Sequence, residues 1–181
     1  QTTAGTMAIT DSSGMLGFVD TDNGDVLGTP VAVQNISDKY SKNKLKDIAY
    51  DPAGNLWGIS RYNLYSIDTN TFEATQINST PFSVGMDSLV IDDSGVAYAG
   101  GLSSKRLFTI ELTSGTDSTI GQTGYRVSGD LAVVNDILYF SSKMDTFGTT
   151  NHLIEIMLDT NGLVDTVTDV GDIGYANVFG L

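Results

Sequence analysis

Oxygen-bearing side chains recur along this 181-residue chain at a spacing that could place them around one cation. They are Asp47, Asp87, Ser88, Asp130 and Asn177, and with Ser88 as the second position the steps are 41, 42 and 47 residues. Hard cations such as Ca²⁺ take six to eight oxygen ligands at about 2.3–2.6 Å. If these positions face a common axis, they predict a metal site. The structural alternative is that Asp, Ser and Asn cap turns where strands begin.

Loop tyrosines are the second set of residues with binding chemistry. Tyr40, Tyr62 and Tyr125 lie outside the regular hydrophobic pattern, so we treat them as candidate ligand-binding residues. Exposed rings of this kind are platforms on which a sugar ring can stack. Residues 34–45, around Tyr40, also contain three of the nine Lys and Arg residues. These cations are either solvated or favour head-to-tail contacts with acidic surfaces of a second copy.

Composition argues against several classes of function. A net charge of −13 with only nine cations disfavours nucleic-acid binding, which needs clustered Lys and Arg. The absence of Cys removes disulfides and thiolate chemistry. The single histidine, His152, has no Gly-x-Ser-x-Gly motif to accompany it, and we expect it to be a solvated loop residue. A hydrolase or lyase would need two acids to converge in a cleft with shifted pKa values.

An internal repeat predicts how these residues are positioned. Residues 47–59 and 63–77 alternate apolar and polar side chains in four short runs separated by polar turns, which is typical of an antiparallel meander. The same pattern returns over residues 88–120 and 130–167. Its period fits the roughly 40–50 residues of a four-stranded propeller blade, so the sequence predicts an all-β protein with a β-propeller fold.

The two ends of the chain predict the number of blades. Residues 6–28 supply the second, third and fourth strands of an N-terminal unit, whereas residues 176–181 form a lone first strand. Laying the C-terminal strand into the N-terminal blade would remove an exposed sheet edge and close the ring. We therefore predict a single-domain, four-bladed β-propeller over residues 1–181. The predicted blades are 6–33 plus 176–181, 46–79, 87–121 and 129–170.

Two phrases in the second repeat carry a resemblance to known proteins. Asp47-Ile-Ala-Tyr-Asp-Pro-Ala-Gly-Asn-Leu-Trp-Gly-Ile59 and Leu64-Tyr-Ser-Ile-Asp-Thr69 resemble the degenerate blade repeats of bacterial secreted propeller proteins. The four-blade architecture is similar to that of hemopexin-like propellers, although the aromatic-rich second strand and the terminal Trp-Arg of that family are missing. The resemblance implies a cation, Ca²⁺ or another hard ion, on the central channel axis.

These observations favour a binding or structural module that is not an enzyme. We expect protein–protein or self-assembly contacts, with an axial ion ordering the module. The alternative is a carbohydrate-binding propeller that uses loop aromatics together with Asn and Asp. The acidic, Lys-poor and hydroxyl-rich composition favours a secreted, extracellular or cell-surface location. Gln1 is either a processed terminus or a fragment boundary.

Overall fold

Short runs of β-branched and aromatic residues, separated by turns containing Asp and Gly, form fifteen strands in the computed structural model, which describes residues 5–101, 103–143 and 150–175. The strands are β1 Thr6–Thr10, β2 Met15–Asp20, β3 Val26–Ala32, β4 Asp47–Tyr50, β5 Leu56–Ile59, β6 Leu64–Ile67, β7 Ala74–Gln76, β8 Ser88–Ile91, β9 Ala97–Gly100, β10 Arg106–Ile110, β11 Asp117–Gln122, β12 Val127–Val134, β13 Ile137–Lys143, β14 Asn151–Leu158 and β15 Val164–Asp172. One 3-10 turn, Lys39–Ser41, lies between β3 and β4.

The strands form four antiparallel sheets in chain order, arranged as the blades of a four-bladed β-propeller. Blade 1 consists of β1–β3, blade 2 of β4–β7, blade 3 of β8–β11 and blade 4 of β12–β15. The predicted fold class is confirmed. Blade 1 has three strands within the described residues. The predicted closing strand, 176–181, lies outside them.

Aspartates hold the tight turns between first and second strands. The Asp51 Oδ1 accepts the backbone N–H of Asn55 at 2.9 Å, and Asp92 Oδ1 accepts that of Val96 at the same distance. Gly54 and Gly95 occupy the left-handed position of these turns, with φ of +84° and +88°, a conformation that costs other residues strain. The repeated Asp-x-x-Gly sequence therefore sets the hairpin register.

Apolar clusters fill the spaces between consecutive blades. Leu16, Leu56 and Tyr65 are buried between blades 1 and 2. Leu64 and Phe108 are buried between blades 2 and 3, and a third cluster around Leu107 and Phe140 lies between blades 3 and 4. This packing fixes the angle between neighbouring sheets and so brings the first strands β4, β8 and β12 close together near the axis.

The antiparallel meander gives the molecule two distinct faces. We call the mouth face the side where β4 and β8 begin. It also carries the blade-to-blade connections and the turns that join second to third strands. The opposite face carries the turns that join first to second and third to fourth strands. Each loop among the described residues can therefore be assigned to one face from the order of the strands.

Candidate functional site

Two of the predicted metal-ligating carboxylates meet at the mouth face. Asp47 starts β4 in blade 2, as expected, whereas Asp130 is the fourth residue of β12 in blade 4, because that strand begins earlier, at Val127. Their carboxyl groups are close enough to hydrogen bond and to repel each other. Asp47 Oδ1 accepts the N–H of Ile48 at 2.8 Å, and its Oδ2 accepts the N–H of Leu89 in blade 3 at 2.7 Å. Asp47 thus links the inner strands of two blades.

Burial is the main cause that raises the pKa of Asp47 well above its ordinary range, and the negative charge of Asp130 adds to it. The two backbone N–H donors act in the opposite direction but do not cancel these effects. This arrangement is the converging carboxylate pair that a hydrolase or lyase would require. Because both Asp47 oxygens already accept backbone hydrogen bonds, the geometry also suits a group that anchors neighbouring strands.

The remaining predicted ligands do not join this pair in the same way. Asp87 lies nearby, but its Oδ1 is 3.9 Å from the Lys46 Nζ. Ser88 is fully buried and donates its hydroxyl to the Gly100 carbonyl oxygen at 3.2 Å, within its own sheet. Asn177 lies outside the described residues. Within the ranges that the structure describes, no three His, Cys, Asp or Glu side chains surround a common metal position.

The carboxylates line a cavity of about 1100 Å³ that opens on the mouth face. Its walls come from β1, from the connection between β3 and β4, from β4, and from residues 128–130. Within the described residues this cavity follows the inner edge of β1, which is the edge that the predicted closing strand would pair with. A strand that paired with this edge would occupy part of the cavity, so the cavity volume says little about the size of a ligand. The rim, where Tyr40 and Lys42 lie, is the better place to look for ligand contacts.

Two of the three predicted ligand-binding tyrosines form a pair at this rim. The rings of Tyr40 and Tyr62 meet edge to face with centroids 5.1 Å apart. Tyr40 is 62% exposed, whereas Tyr62 is half-buried. The Lys39 Nζ lies 5.0 Å from the Tyr40 centroid, within the range of a cation–π contact. We call Tyr40, Tyr62, Lys39 and Lys42 the tyrosine lip.

A single buried carboxylate positions both tyrosines. Asp38 is 5% exposed, and its Oδ1 accepts the N–H of Tyr40 at 2.8 Å. Its Oδ2 accepts the Ser60 hydroxyl at 2.7 Å and the N–H of Tyr62 at 3.0 Å. Asn43 closes the loop by exchanging hydrogen bonds with the Asp38 backbone. The lip is preorganised, so a ligand would not have to order it on binding.

The loop under the lip contains backbone strain. Lys42 and Asn43 both have φ of +57°, a left-handed conformation that costs a non-glycine residue roughly 1–2 kcal/mol. The Asp38–Asn43 hydrogen bonds hold the chain in this conformation. Strain of this kind concentrates where a surface must keep a particular shape for function.

Charge is separated between the two faces. All nine Lys and Arg residues lie in mouth-face connections or beside them: Lys39, Lys42, Lys44, Lys46, Arg61, Lys105, Arg106, Arg126 and Lys143. The turns of the opposite face contain no Lys or Arg and are rich in Asp and Glu: 20–25, 51–55, 68–73, 92–96, 111–116, 135–136 and 159–163. The chain of net charge −13 therefore presents one mixed face and one strongly anionic face.

The other sequence predictions have mixed outcomes. Tyr125 is half-buried against the cluster between blades 3 and 4, and so it does not join the tyrosine lip. The expectation that His152 is a solvated loop residue is wrong. His152 belongs to β14, and its Nδ1 lies 2.9 Å from the Asp169 carboxylate on β15. The strand is longer than expected because cross-strand pairing with β15 continues to Asp172.

Asp38 and Ser60 are the residues that sequence reasoning missed. Asp38 lies beside Lys39 in a polar loop, a context typical of a solvated aspartate. A weak signal was available, because an Asp two residues before Tyr40 can accept the backbone N–H of that residue in a short turn. Its contact with Ser60, 22 residues away, depends on how the loop lies on blade 2.

No protein-family model matches this chain, and no curated protein matches it in sequence. Solved structures do match in fold. Kuenenia stuttgartiensis hydrazine synthase has a TM-score of 0.62 at 17% identity, over 92% of this chain and 46% of that one. An auxiliary nutrient binding protein from Bacteroides thetaiotaomicron has a TM-score of 0.62 at 11% identity, over 94% and 40%.

An extracellular domain from B. thetaiotaomicron has a TM-score of 0.54 at 14% identity, over 92% of this chain and 21% of that one. The chain thus spans less than half of these three proteins. At such identities the likeness shows the fold alone. The proteins include an enzyme and a binding protein, and a propeller is compatible with both activities. No helix in the described part of the chain has the length and apolar character needed to cross a membrane.

Replacing Asp38 tests whether it organises the tyrosine lip. We expect Asp38→Ala to lower the free energy of unfolding by about 2–4 kcal/mol, because three donors lose a charged acceptor. Urea unfolding measures the loss of unfolding free energy. Near-UV circular dichroism shows whether the tyrosine rings of the lip are still held in a fixed arrangement. Asp25→Ala, in an exposed turn, is the control and should leave both unchanged. A stable Asp38→Ala protein with an unchanged near-UV spectrum would contradict this role.

Replacing Asp130 tests the carboxylate pair through its pH dependence. A raised folded-state pKa means that the folded protein binds a proton more tightly than the unfolded chain, so ionising Asp47 costs stability. That cost begins above the ordinary carboxyl range near about pH 4 and is complete above the raised pKa. We expect Asp130→Asn to gain unfolding free energy over the native protein as pH rises from about 4 to 8.

Urea unfolding across this pH range measures the difference between the two proteins. Asp93→Asn, an exposed turn residue on the opposite face, is the matched control, and its difference from the native protein should not grow with pH. A flat difference for Asp130→Asn as well would mean that the two carboxylates do not interact.

Proposed function

We propose that this chain is a secreted, non-enzymatic binding propeller that takes a carbohydrate on the tyrosine lip. The observation that carries the proposal is the exposed Tyr40 ring, which packs against the half-buried Tyr62, with both backbones held by one buried carboxylate. An exposed aromatic ring with a locked backbone offers stacking area without an ordering cost. The Ser12 hydroxyl, which lines the same cavity, supplies a hydrogen-bond partner for sugar hydroxyls.

A non-enzymatic role is supported by the way the acids at the mouth are used. The carboxylates that converge, Asp47 and Asp130, each accept a backbone N–H from the next residue in the chain, and Asp47 also accepts one from blade 3. Carboxylates that already accept backbone hydrogen bonds suit anchoring better than proton transfer to a substrate. The secreted location is supported by the acidic, Lys-poor composition and by the match in fold to an extracellular domain.

Protein binding, including self-association, is the second candidate, and a different observation favours it. Met7 and Ile9 on blade 1 are 51% and 38% exposed, and Val134 and Met157 on blade 4 are 53% and 47% exposed. These apolar side chains could pack against a protein partner or a second copy. The separation of charge between the two faces would orient copies head to tail.

A carbohydrate array followed by calorimetric titration tests the leading proposal. We expect the native protein to bind at least one class of glycan, and Tyr40→Ala to weaken that binding at least fivefold, since an aromatic contact contributes about 1 kcal/mol. Tyr175→Ala is the matched control, because Tyr175 is 74% exposed and follows β15 of blade 4, outside the lip. No binding to any glycan, with a molar mass by light scattering that rises with concentration, would favour self-association instead.

We also propose that a Ca²⁺-like cation binds between Asp47 and Asp130. The residues fit in part: two carboxylates in repulsive contact are what a hard cation neutralises, and the lone pairs left beside their backbone hydrogen bonds could coordinate it. Asp87 lies at the same cavity, so a small movement away from Lys46 would bring in a third carboxylate.

Thermal unfolding with and without Ca²⁺ tests this cation. A ligand that binds only the folded state at about 100 times its Kd adds about 2.7 kcal/mol, so Tm should rise by several degrees and return with a chelator. Asp130→Asn should lose this rise, whereas Asp93→Asn on the anionic face should keep it. An equal rise in both variants would show that the ion does not bind at Asp130 and would contradict this site.

A further inference from the structure

The charges around the tyrosine lip narrow the class of carbohydrate. We infer that the lip binds an acidic polysaccharide, a chain of sugar rings that carry carboxylates, and this inference rests on the carbohydrate proposal above. Its basis is the placement of cations beside an exposed aromatic ring on an otherwise anionic molecule.

Two exposed lysines belong to the same loop as Tyr40. The Lys39 Nζ lies over the Tyr40 ring, 5.0 Å from its centroid. Lys42 follows Tyr40 by two residues and lines the cavity. A sugar that stacks on the ring face covered by Lys39 would displace this ammonium, which could then pair with a carboxylate of the same sugar. Lys42, two residues further along the loop, offers a second cation. A neutral sugar makes no use of this arrangement, but a uronic acid places a carboxylate at the edge of the ring that stacks.

The neighbouring lysines are already used differently. The Lys44 Nζ donates to the Ser12 carbonyl oxygen at 2.8 Å, and the Lys46 Nζ lies 3.9 Å from Asp87. These two lysines help to fix the rim to blade 1 and to offset a cavity carboxylate. Lys39 and Lys42 are left as the cations that face solvent beside the ring.

The acids at the mouth decide how such a ligand would lie. Asp47, Asp87 and Asp130 line the cavity, so an acidic sugar would be repelled from its interior. Asp38 is the acid nearest the ring in sequence, but its carboxylate is buried and engaged by three donors. A polyanion would therefore lie along the lip, across Tyr40 and toward Tyr62, without entering the cavity.

The field of the whole molecule favours the same orientation. Every Lys and Arg lies at the mouth face, and the turns of the opposite face are anionic. A polyanion would approach the mouth face, and the attraction would weaken as salt is added. Stacking of a sugar on an aromatic ring does not need charge. A salt-dependent affinity would therefore distinguish selection of acidic glycans from simple aromatic stacking.

The test compares two forms of one oligosaccharide that differ only in charge. The full chain is titrated by calorimetry with an oligogalacturonate and with its fully methyl-esterified form, at about 0.05 M and about 0.5 M NaCl. We expect the free acid to bind about tenfold more tightly at low salt, with most of that advantage lost at high salt. Tyr40→Ala should weaken binding of both forms.

Two double variants show which cations cause the tighter binding of the free acid. Lys39→Gln combined with Lys42→Gln should weaken binding of the free acid about fivefold to tenfold, the sum of two exposed ion pairs, and leave the ester unchanged. Lys105→Gln combined with Arg106→Gln removes the same charge from the mouth face at blade 3 and should have a much smaller effect. Equal losses from the two double variants would overturn a local site.

The remaining outcomes separate this inference from the proposal beneath it. Equal affinity for the two forms, with both lost in Tyr40→Ala, would overturn the preference for acid while carbohydrate binding stands. If neither form binds but another glycan binds in a Tyr40-dependent way, the preference for acid is again overturned while carbohydrate binding stands. Competition by polyglutamate as strong as that by the oligogalacturonate would show a surface for polyanions in general and would overturn the sugar class.

Discussion

The inner end of strand β4 carries the interaction on which the arrangement of the blades depends. Asp47 accepts the N–H of Ile48 in its own strand and the N–H of Leu89 in the next blade, and its carboxyl group meets that of Asp130 in blade 4. Three blades thus contribute to one small volume. Two acids in contact are unfavourable by themselves, so the apolar packing between blades has to supply the stability that holds them there.

The same topology explains why binding chemistry lies on one face. The blade connections and the turns between second and third strands emerge together, so Tyr40 in a connection reaches Tyr62 in a turn. Asp38 joins the two segments by accepting hydrogen bonds from both backbones. The loops carry the candidate binding residues, and the sheets form the rigid scaffold that positions them. The cations accumulate on this face alone, so the direction of a charged ligand is also set by strand order.

The fold could be predicted from the sequence because the fold is periodic. Residues 47–77 alternate apolar and polar side chains, and this pattern recurs along the chain. Because each repeat encodes the same four strands, the pattern predicted the strands, the number of blades and the starts of β4 and β8. The tyrosine pair was accessible only as two separate candidates. Asp38 was not accessible, because its burial depends on Ser60 and Tyr62, which are distant in sequence. His152 was misplaced because β14 begins at Asn151, two residues before the apolar run that starts at Leu153.

A direct test of the account is the titration of the Asp47 carboxyl carbon by nuclear magnetic resonance, in the native protein and in Asp130→Asn. Convergence of blades 2 and 4 at the axis predicts that Asp47 loses its proton well above the usual value of about 3.9 in the native protein, and at a lower pH once the Asp130 charge is removed. An ordinary value that is the same in both proteins would place the two blades apart, and the axial arrangement described here would be incorrect.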